Sequence, residues 1–229
     1  MITTKDFIVR LENPEGCAGG FIFSPENSSE LAYILTVRHG LVSEDEISWR
    51  TNEISVDFLV EGVWVKYQLQ KEDVIVHGKN NQFEDIGLII IKKSKLPVSL
   101  DFSKCPQLCI FPQKEHKIEI TGIPKAVHNE LKRTLYQLTP LSDKDYDNQI
   151  QIEVKDPITD EYNADNLVEG YSGSPIIVKV KEKCYSCGLF LAYENTTKRI
   201  LGIDFLLINN LLTAIELKPI LLLEIETDE

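Results

Sequence analysis

Ser172 is the residue of this sequence whose surroundings most favour nucleophilic chemistry. It stands in the stretch EGYSGSPIIV (residues 169–178), with Gly170 and Gly173 on either side, a proline close by and a strongly apolar run directly after it. A serine hydroxyl is a poor nucleophile at neutral pH and needs an adjacent base, which is itself held in the right tautomer by an acid. If Ser172 is more than a turn residue, the chain must supply that base and that acid elsewhere.

His39 is the best candidate for the base among the four histidines. It follows the apolar run YILTV and precedes Gly40, so the sequence predicts an imidazole where a strand ends in a tight turn. His77 ends a less regular strand, and His116 and His128 lie in charged loops. A histidine at a strand end is also commonly structural, so this position alone leaves both roles open.

Asp85 is the candidate acid, because it enters the most apolar strand of the chain, in the stretch FEDIGLIII. A carboxylate at the mouth of a buried strand needs a hydrogen-bond donor, and a histidine N–H would serve. The alternative is an aspartate that only forms a turn or cap before the strand.

The five cysteines allow a second chemistry, which is zinc binding. Cys105 and Cys109 form a C-x3-C pair, and Cys184 and Cys187 form a C-x2-C pair; together they could supply four thiolates to zinc. The spacing is loose, and the simpler interpretation is reduced residues in a linker and in a hairpin. We therefore expect neither a metal ion nor another cofactor.

The bulk composition of the 229 residues limits the classes of partner. With 43% hydrophobic and 26% charged residues the chain can bury a core, and its formal net charge of −12 argues against nucleic-acid binding, which needs clustered Lys and Arg. The amino terminus has no apolar segment of signal-peptide length, and the longest apolar runs are too short to cross a bilayer. We expect a cytoplasmic protein that binds neither nucleic acid nor membranes.

Short apolar runs that recur along the chain predict an all-β fold. About six strand-like runs lie on each side of a proline-containing segment without sustained periodicity, and they are rich in β-branched and aromatic residues. This layout predicts two six-stranded antiparallel barrels: a first barrel in residues 1–103, a connector in 104–116 and a second barrel in 117–229. The last of these includes a C-terminal helix, predicted from NNLLTAIEL (209–217).

The order of the motifs resembles that of the chymotrypsin/trypsin-like serine peptidases. TVRHGL, DIGLI and GYSGSP follow one another with His39, Asp85 and Ser172 on a two-barrel strand pattern, so that one barrel carries the first two and the other barrel carries the serine. GCAGGFIFS, ahead of the histidine, is similar to the first inner strand of that family. The resemblance covers roughly residues 1–215.

The resemblance implies a serine endopeptidase that cleaves a protein or peptide substrate through an acyl-enzyme. Ser172 is then the nucleophile, His39 takes its proton, and Asp85 orients His39. The backbone N–H groups of Gly170 and Ser172 are implied to form the oxyanion hole. The α/β-hydrolase pattern is excluded, because GYSGS lacks the last glycine of G-x-S-x-G, a strand follows the serine, and the histidine and the aspartate come first.

Tyr171 is a departure from the digestive members of the family, which place an aspartate immediately before the nucleophile to pair with a newly cut amino terminus. A tyrosine cannot form that ion pair, so we expect no activation by N-terminal cleavage. Modules of this type occur in bacterial defence and signalling systems beside regulatory sensor proteins, and the resemblance extends this expectation to the present chain. The alternative is a catalytically silent fold that acts as a protein-binding module.

A specificity pocket is implied by the resemblance in the segment before Ser172 and in two strands after it. The residues assigned to the pocket are Asn166, Leu191, Gly202 and Asp204. Side chains alternate along a strand, so Asp204 points to the same side as Gly202. A buried carboxylate in an apolar slot favours Lys or Arg before the scissile bond. The alternative is a structural hydrogen bond at Asp204 and a medium-sized apolar substrate residue.

Overall fold

A computed structural model describes residues 4–26, 29–43, 45, 47–79, 84–112, 117–123, 133–140, 149–154, 170–194 and 196–225. These residues form two predominantly antiparallel sheets and, within the described ranges, one α-helix near the C-terminus. The predicted all-β class with two barrels and a C-terminal helix is confirmed.

The first sheet carries the seven strands of the N-terminal half. They are β1 (Ile8–Asn13), β2 (Gly16–Phe23), β3 (Leu31–Thr36), β4 (Ser55–Val60), β5 (Val63–Gln68), β6 (Val74–His77) and β7 (Gly87–Lys92). Their order across the sheet is β5-β4-β1-β2-β3-β7-β6, and every neighbouring pair is antiparallel. In the described residues, no ladder joins the two end strands, β5 and β6.

The second sheet closes on itself. Its strands are β8 (Gln107–Leu108), β9 (Lys117–Gly122), β10 (Arg133–Pro140), β11 (Gln149–Val154), β12 (Pro175–Val180), β13 (Lys183–Glu194) and β14 (Arg199–Asp204). The order is β12-β9-β10-β11-β14-β13-β8, and an additional pairing of β12 with β13 completes a six-stranded barrel. β8 is added outside the barrel, parallel to β13.

Two strands lie outside the six that were predicted for each barrel, and both are short, although the sequence indicated a less regular strand ending at His77. β6 has four residues and β8 has two, so neither gives a periodic pattern of useful length. As a result, the first sheet has seven strands instead of six, and the segment predicted as a connector contributes β8 to the second sheet.

The burial pattern of a strand depends on whether one or both of its faces are covered by other parts of the protein. Val9 and Leu11 of β1 face the first core, whereas β7 is buried along Gly87–Ile91 and therefore reads as a continuous apolar run. The second core contains alternate residues of its strands, such as Ile118 and Ile120 of β9. Each barrel thus has an apolar interior of its own.

The helix α1 spans Leu206–Ala214, three residues earlier than predicted. The apolar stretch Phe205–Ile208 continues the run of β14 without a break, so the sequence pattern does not separate the end of the strand from the start of the helix. Leu207, Ile208, Leu211 and Leu212 are buried, and they join the core of the first barrel although the helix follows the second barrel in the chain. The domain boundaries themselves stay a prediction. No helix of the described ranges has the length and apolar character needed to cross a membrane.

Candidate active site

His39 lies in a single turn of 3-10 helix, Arg38–Gly40, directly after β3. The turn is closed by the Gly40 N–H, which donates to the Val37 carbonyl at 3.1 Å, and by the Leu41 N–H, which donates to the Arg38 carbonyl at 2.7 Å. The His39 side chain is 50% exposed. The end of a buried strand therefore presents this imidazole at the surface.

Asp85 lies beside His39 because of the register between β3 and β7. Thr36 is opposite Gly87 in that ladder, so the residues that follow β3 run past those that precede β7. Asp85 Oδ2 is 2.6 Å from His39 Nδ1, and Asp85 Oδ1 accepts the His39 backbone N–H at 3.0 Å. Because the carboxylate fixes the proton on Nδ1, Nε2 is the nitrogen that can accept another proton.

Ser172 stands in a loop, residues 170–174, that contacts both barrels. The Gly19 N–H of β2 donates to the Ser172 carbonyl at 2.6 Å, which ties the loop to the first barrel. The Gly173 N–H donates to the Phe190 carbonyl at 2.8 Å, which ties it to β13 of the second barrel. The loop is therefore held at the junction between the two barrels.

Thr36 connects the histidine end of β3 to the serine loop. Its hydroxyl donates to the Gly19 carbonyl at 2.7 Å, and the N–H of Gly19 is the one that donates to Ser172. Thr36 is three residues before His39, so a short path of hydrogen bonds brings the two candidate residues to the same junction. Neither Thr36 nor Gly19 is a candidate site residue on sequence grounds, although they lie in the motifs TVRHGL and GCAGGFIFS, respectively.

The Ser172 hydroxyl donates to the Leu191 carbonyl at 3.0 Å. Leu191 lies at a β-bulge, where the register of β13 against β14 shifts between Phe190 and Ala192. A bulged residue is released from the ladder, and its carbonyl is available to a partner outside the sheet. In the described residues, the structure gives no hydrogen bond between Ser172 and His39.

Gly170 has a backbone φ of 93°, which a residue with a Cβ adopts only under strain. Across the described residues, neither the Gly170 N–H nor the Ser172 N–H donates to a backbone carbonyl. Among the described residues, both N–H groups are therefore left without a backbone acceptor, as oxyanion donors would be.

The residues predicted to line the specificity pocket lie in different surroundings. Leu191 is partly buried next to Ser172, and Asn166 lies outside the described residues. A Cβ on Gly202 would lie 2.7 Å from Ile176 Cδ1, so this face of β14 packs against the core of the second barrel.

Asp204 is 1% exposed, and its Oδ1 accepts the Leu206 N–H at 3.0 Å. This contact lies at the first turn of α1, where a carboxylate stabilises a helix. Asp204 thus makes a structural hydrogen bond of the kind predicted as the alternative to a pocket role.

Cys105 packs against the first core, whereas Cys109 and Cys187 are buried together in the second core and their side chains are hydrogen-bonded. The Cys105 thiol lies 3.6 Å from the Ile22 carbonyl, and the Cys187 thiol donates to the Ile176 carbonyl at 3.4 Å. Burial raises the pKa of the thiols of Cys105, Cys184 and Cys187, which disfavours the thiolate form that zinc requires. Within the described part of the chain, no three His, Cys, Asp or Glu residues are grouped as metal ligands.

No family model and no curated protein matches this sequence. Its structure is similar to that of the thermostable serine protease AL20 from an extremophilic microorganism, with a TM-score of 0.58, 12% identity and coverage of 88% of this chain and 92% of that chain. It is also similar to an inactive serine-to-alanine mutant of Rv3671c from M. tuberculosis, with a TM-score of 0.54, 12% identity and coverage of 93% and 88%.

A serine protease of a human pathogenic astrovirus matches with a TM-score of 0.48, 14% identity and coverage of 89% of this chain and 91% of that chain. At such identities, the similarity to the first two structures defines the fold. The chain has the two-barrel fold of the chymotrypsin-like serine peptidases.

Proposed function

We propose that this protein is a serine endopeptidase, with Ser172 as nucleophile, His39 as general base and Asp85 as the residue that orients His39. The observation that carries the proposal is the pair of hydrogen bonds from His39 to Asp85, at 2.6 Å from the ring and 3.0 Å from the backbone. A ring held at Nδ1 by a carboxylate keeps Nε2 ready to accept a proton, which is what a serine nucleophile needs.

The first chemical step requires the Ser172 side chain to leave the Leu191 carbonyl. A carbonyl oxygen cannot take a hydroxyl proton as a base, whereas His39 Nε2 can. Rotation about the Cα–Cβ bond of Ser172 would release its hydroxyl toward His39. Catalytic hydrogen bonds are often absent before substrate binds and form only in the substrate complex.

The reaction then follows from these roles. As the Ser172 oxygen bonds to the scissile carbonyl carbon, its proton passes to His39 Nε2, and the carbonyl oxygen becomes an oxyanion. The N–H groups of Gly170 and Ser172 donate to that oxyanion. When the carbon–nitrogen bond breaks, His39 gives the proton to the leaving amine, and water later hydrolyses the acyl-enzyme by the same sequence.

The experiment that tests the proposal is covalent labelling with a fluorophosphonate probe. Wild-type protein should be labelled once per chain, at Ser172, and Ser172→Ala should not be labelled at all. His39→Ala should be labelled on the order of 10³-fold more slowly or not measurably, because the hydroxyl has lost its base. Circular dichroism melting of each variant shows whether the fold is retained. Equal labelling of wild type and Ser172→Ala would overturn the proposal.

A second candidate function is a catalytically silent fold that binds proteins. The hydrogen bond from the Ser172 hydroxyl to the Leu191 carbonyl is the observation in its favour, because in this arrangement the hydroxyl is not activated. The same labelling experiment separates the two candidates. A folded wild-type protein that is never labelled, even at a large excess of probe, supports the binding module.

The substrate side of the proposal is a protein or peptide chain. The sequence is compatible with a basic or a medium-sized apolar residue before the scissile bond, and the buried hydrogen bond between Asp204 and the Leu206 N–H supports the apolar alternative. The proposed role in a bacterial defence or signalling system, together with a regulatory sensor protein, rests on the sequence resemblance alone. A peptide library read by mass spectrometry identifies the residue before the cut.

A further inference from the structure

Tyr171, the residue before Ser172, is anchored inside the second barrel. Its side chain is 1% exposed and belongs to the core of that barrel. Its ring lies 5.9 Å from the ring of Phe190, centroid to centroid, with the planes tilted by 50°. A buried aromatic pair of this geometry adds a directional contact to the burial of both rings.

The Tyr171 ring can occupy this position because residue 122 is a glycine. A Cβ on Gly122 would lie 2.7 Å from Tyr171 Cγ, closer still to Cδ1, and 2.8 Å from the Ser174 hydroxyl oxygen. Gly122 is the last residue of β9, and any side chain there would displace the ring or the loop. The glycine and the ring are therefore a matched pair across two separate segments of the barrel.

Tyr171 and Ser172 are consecutive residues, yet they are held by different barrels. The Tyr171 side chain is fixed in the second barrel, and the Ser172 carbonyl accepts the Gly19 N–H of the first barrel at 2.6 Å. The peptide plane between them is fixed as well, because the Tyr171 carbonyl accepts the Ser174 N–H at 2.8 Å. In a trans peptide the N–H points opposite to the C=O, so this contact sets the direction of the Ser172 N–H.

We propose that Tyr171 is a positioning residue that holds the oxyanion loop, residues 170–174, in its working conformation from within the second barrel. This inference rests on the proposed function, in which the Ser172 N–H is an oxyanion donor. The anchor is supplied by the chain itself and needs no newly cut amino terminus. Tyr171 touches no reacting atom; it acts through the peptide that carries the Ser172 N–H.

The test is the rate of fluorophosphonate labelling of loop variants as a function of pH. Tyr171→Ala should lower the labelling rate constant on the order of 10²-fold at every pH, because a small displacement of an oxyanion donor has that effect. The midpoint of the pH profile should not move, because His39 and Asp85 are untouched. The end point should remain one label per chain, because the variant is folded; partial unfolding would lower the end point instead.

Three matched variants make the test specific. Tyr171→Phe keeps the ring and should be labelled within about threefold of the wild-type rate. Tyr185→Ala removes a tyrosine that packs on the same core from β13, away from the loop, and should leave the rate unchanged. Tyr171→Leu, which keeps an apolar side chain in the slot, replaces Tyr171→Ala if the latter does not fold.

Gly122→Ala provides an independent arm. In the wild-type background it should slow labelling at least tenfold, because its methyl group displaces the ring. In the Tyr171→Ala background, Gly122→Ala should reduce the labelling rate little further, because the ring that its methyl group would displace is absent. The contact of the methyl group with Ser174 is the same in both backgrounds. Additive losses would contradict a shared mechanism.

The outcomes separate this inference from the proposed function. If wild type is not labelled, or if Ser172→Ala is labelled equally, the proposed peptidase activity is wrong and the inference fails with it. If wild type is labelled and folded Tyr171→Ala reacts at the wild-type rate, the activity stands and the anchor is refuted. A shifted pH midpoint in Tyr171→Ala would also refute the anchor, because it would place the effect on the base.

Discussion

The Ser172 hydroxyl donates to the Leu191 carbonyl at 3.0 Å, in a structure where His39 is already held by Asp85. The proposed base is therefore already held in place, whereas the hydroxyl of the proposed nucleophile is bonded to a different acceptor. Leu191 can offer this carbonyl because a β-bulge releases it from the ladder between β13 and β14. A substrate that takes the Leu191 carbonyl as its own hydrogen-bond acceptor would free the serine at the moment of binding.

The role of Asp85 is tested by Asp85→Asn, which keeps the shape of the side chain. The amide can donate to His39 Nδ1, which favours the tautomer with the proton on Nε2, so that the ring can no longer accept the serine proton. We expect labelling and peptide hydrolysis to fall about 10⁴-fold, with little change in melting temperature. Asp101→Asn, in an exposed turn, is the matched control and should keep the wild-type rate. A loss of less than tenfold in Asp85→Asn would show that the carboxylate is not needed.

The specificity of cleavage is tested by Asp204→Asn. The carboxylate is buried and accepts the Leu206 N–H, and the asparagine oxygen can accept the same bond. We therefore expect the preference for the residue before the scissile bond to be the same in wild type and variant, with a medium-sized apolar residue favoured in both. Peptide-library cleavage followed by mass spectrometry measures it. Preferred cleavage after Lys or Arg that disappears in Asp204→Asn would instead establish the basic pocket.

The stability of the first barrel depends on the contact between Arg10 and Asp57. Asp57 is 1% exposed, and Arg10 Nη2 lies 2.7 Å from its Oδ2. Arg10→Met would leave a buried carboxylate without its partner and should lower the free energy of unfolding at pH 7 by about 3–5 kcal/mol. Urea unfolding measures this loss, and Arg10→Met/Asp57→Asn should recover most of it.

The same variant makes a prediction about pH. Burial already raises the pKa of Asp57, against the lowering effect of the Arg10 hydrogen bond, and removal of Arg10 should raise this pKa further. A carboxyl group with a higher pKa in the folded than in the unfolded state destabilises the fold above its folded pKa, and this penalty is relieved as the pH falls through that pKa. The difference between Arg10→Met and wild type should therefore shrink between pH 7 and pH 4. An equal loss of unfolding free energy at pH 7 and pH 4 would contradict this prediction.

Metal removal is expected to have no effect on the proposed activity. Burial raises the pKa of the Cys105 and Cys187 thiols, which disfavours the thiolates that zinc needs, and no three His, Cys, Asp or Glu residues are grouped as ligands among the described residues. Labelling rates should be the same before and after dialysis against a chelator. Inhibition by the chelator that added zinc reverses would restore the cysteine hypothesis.

The relation between His39 and Asp85 was accessible from the sequence because both follow from local patterns. One residue ends an apolar run, the other begins one, and neighbouring antiparallel strands bring such ends together. The contact of Tyr171 with Gly122 was not accessible, because side-chain packing between distant segments leaves no periodic signal. The start of α1 was misplaced for a related reason, since the last strand and the helix share one continuous apolar stretch that only tertiary packing divides.

The position of α1 has a consequence for how the protein is made. Leu207, Ile208, Leu211 and Leu212 complete the core of the first barrel, yet they are synthesised after both barrels. A nascent chain that has emerged only through Ser172 still exposes the apolar surface that this helix covers. The first barrel therefore reaches its final packing only after the second barrel has been translated.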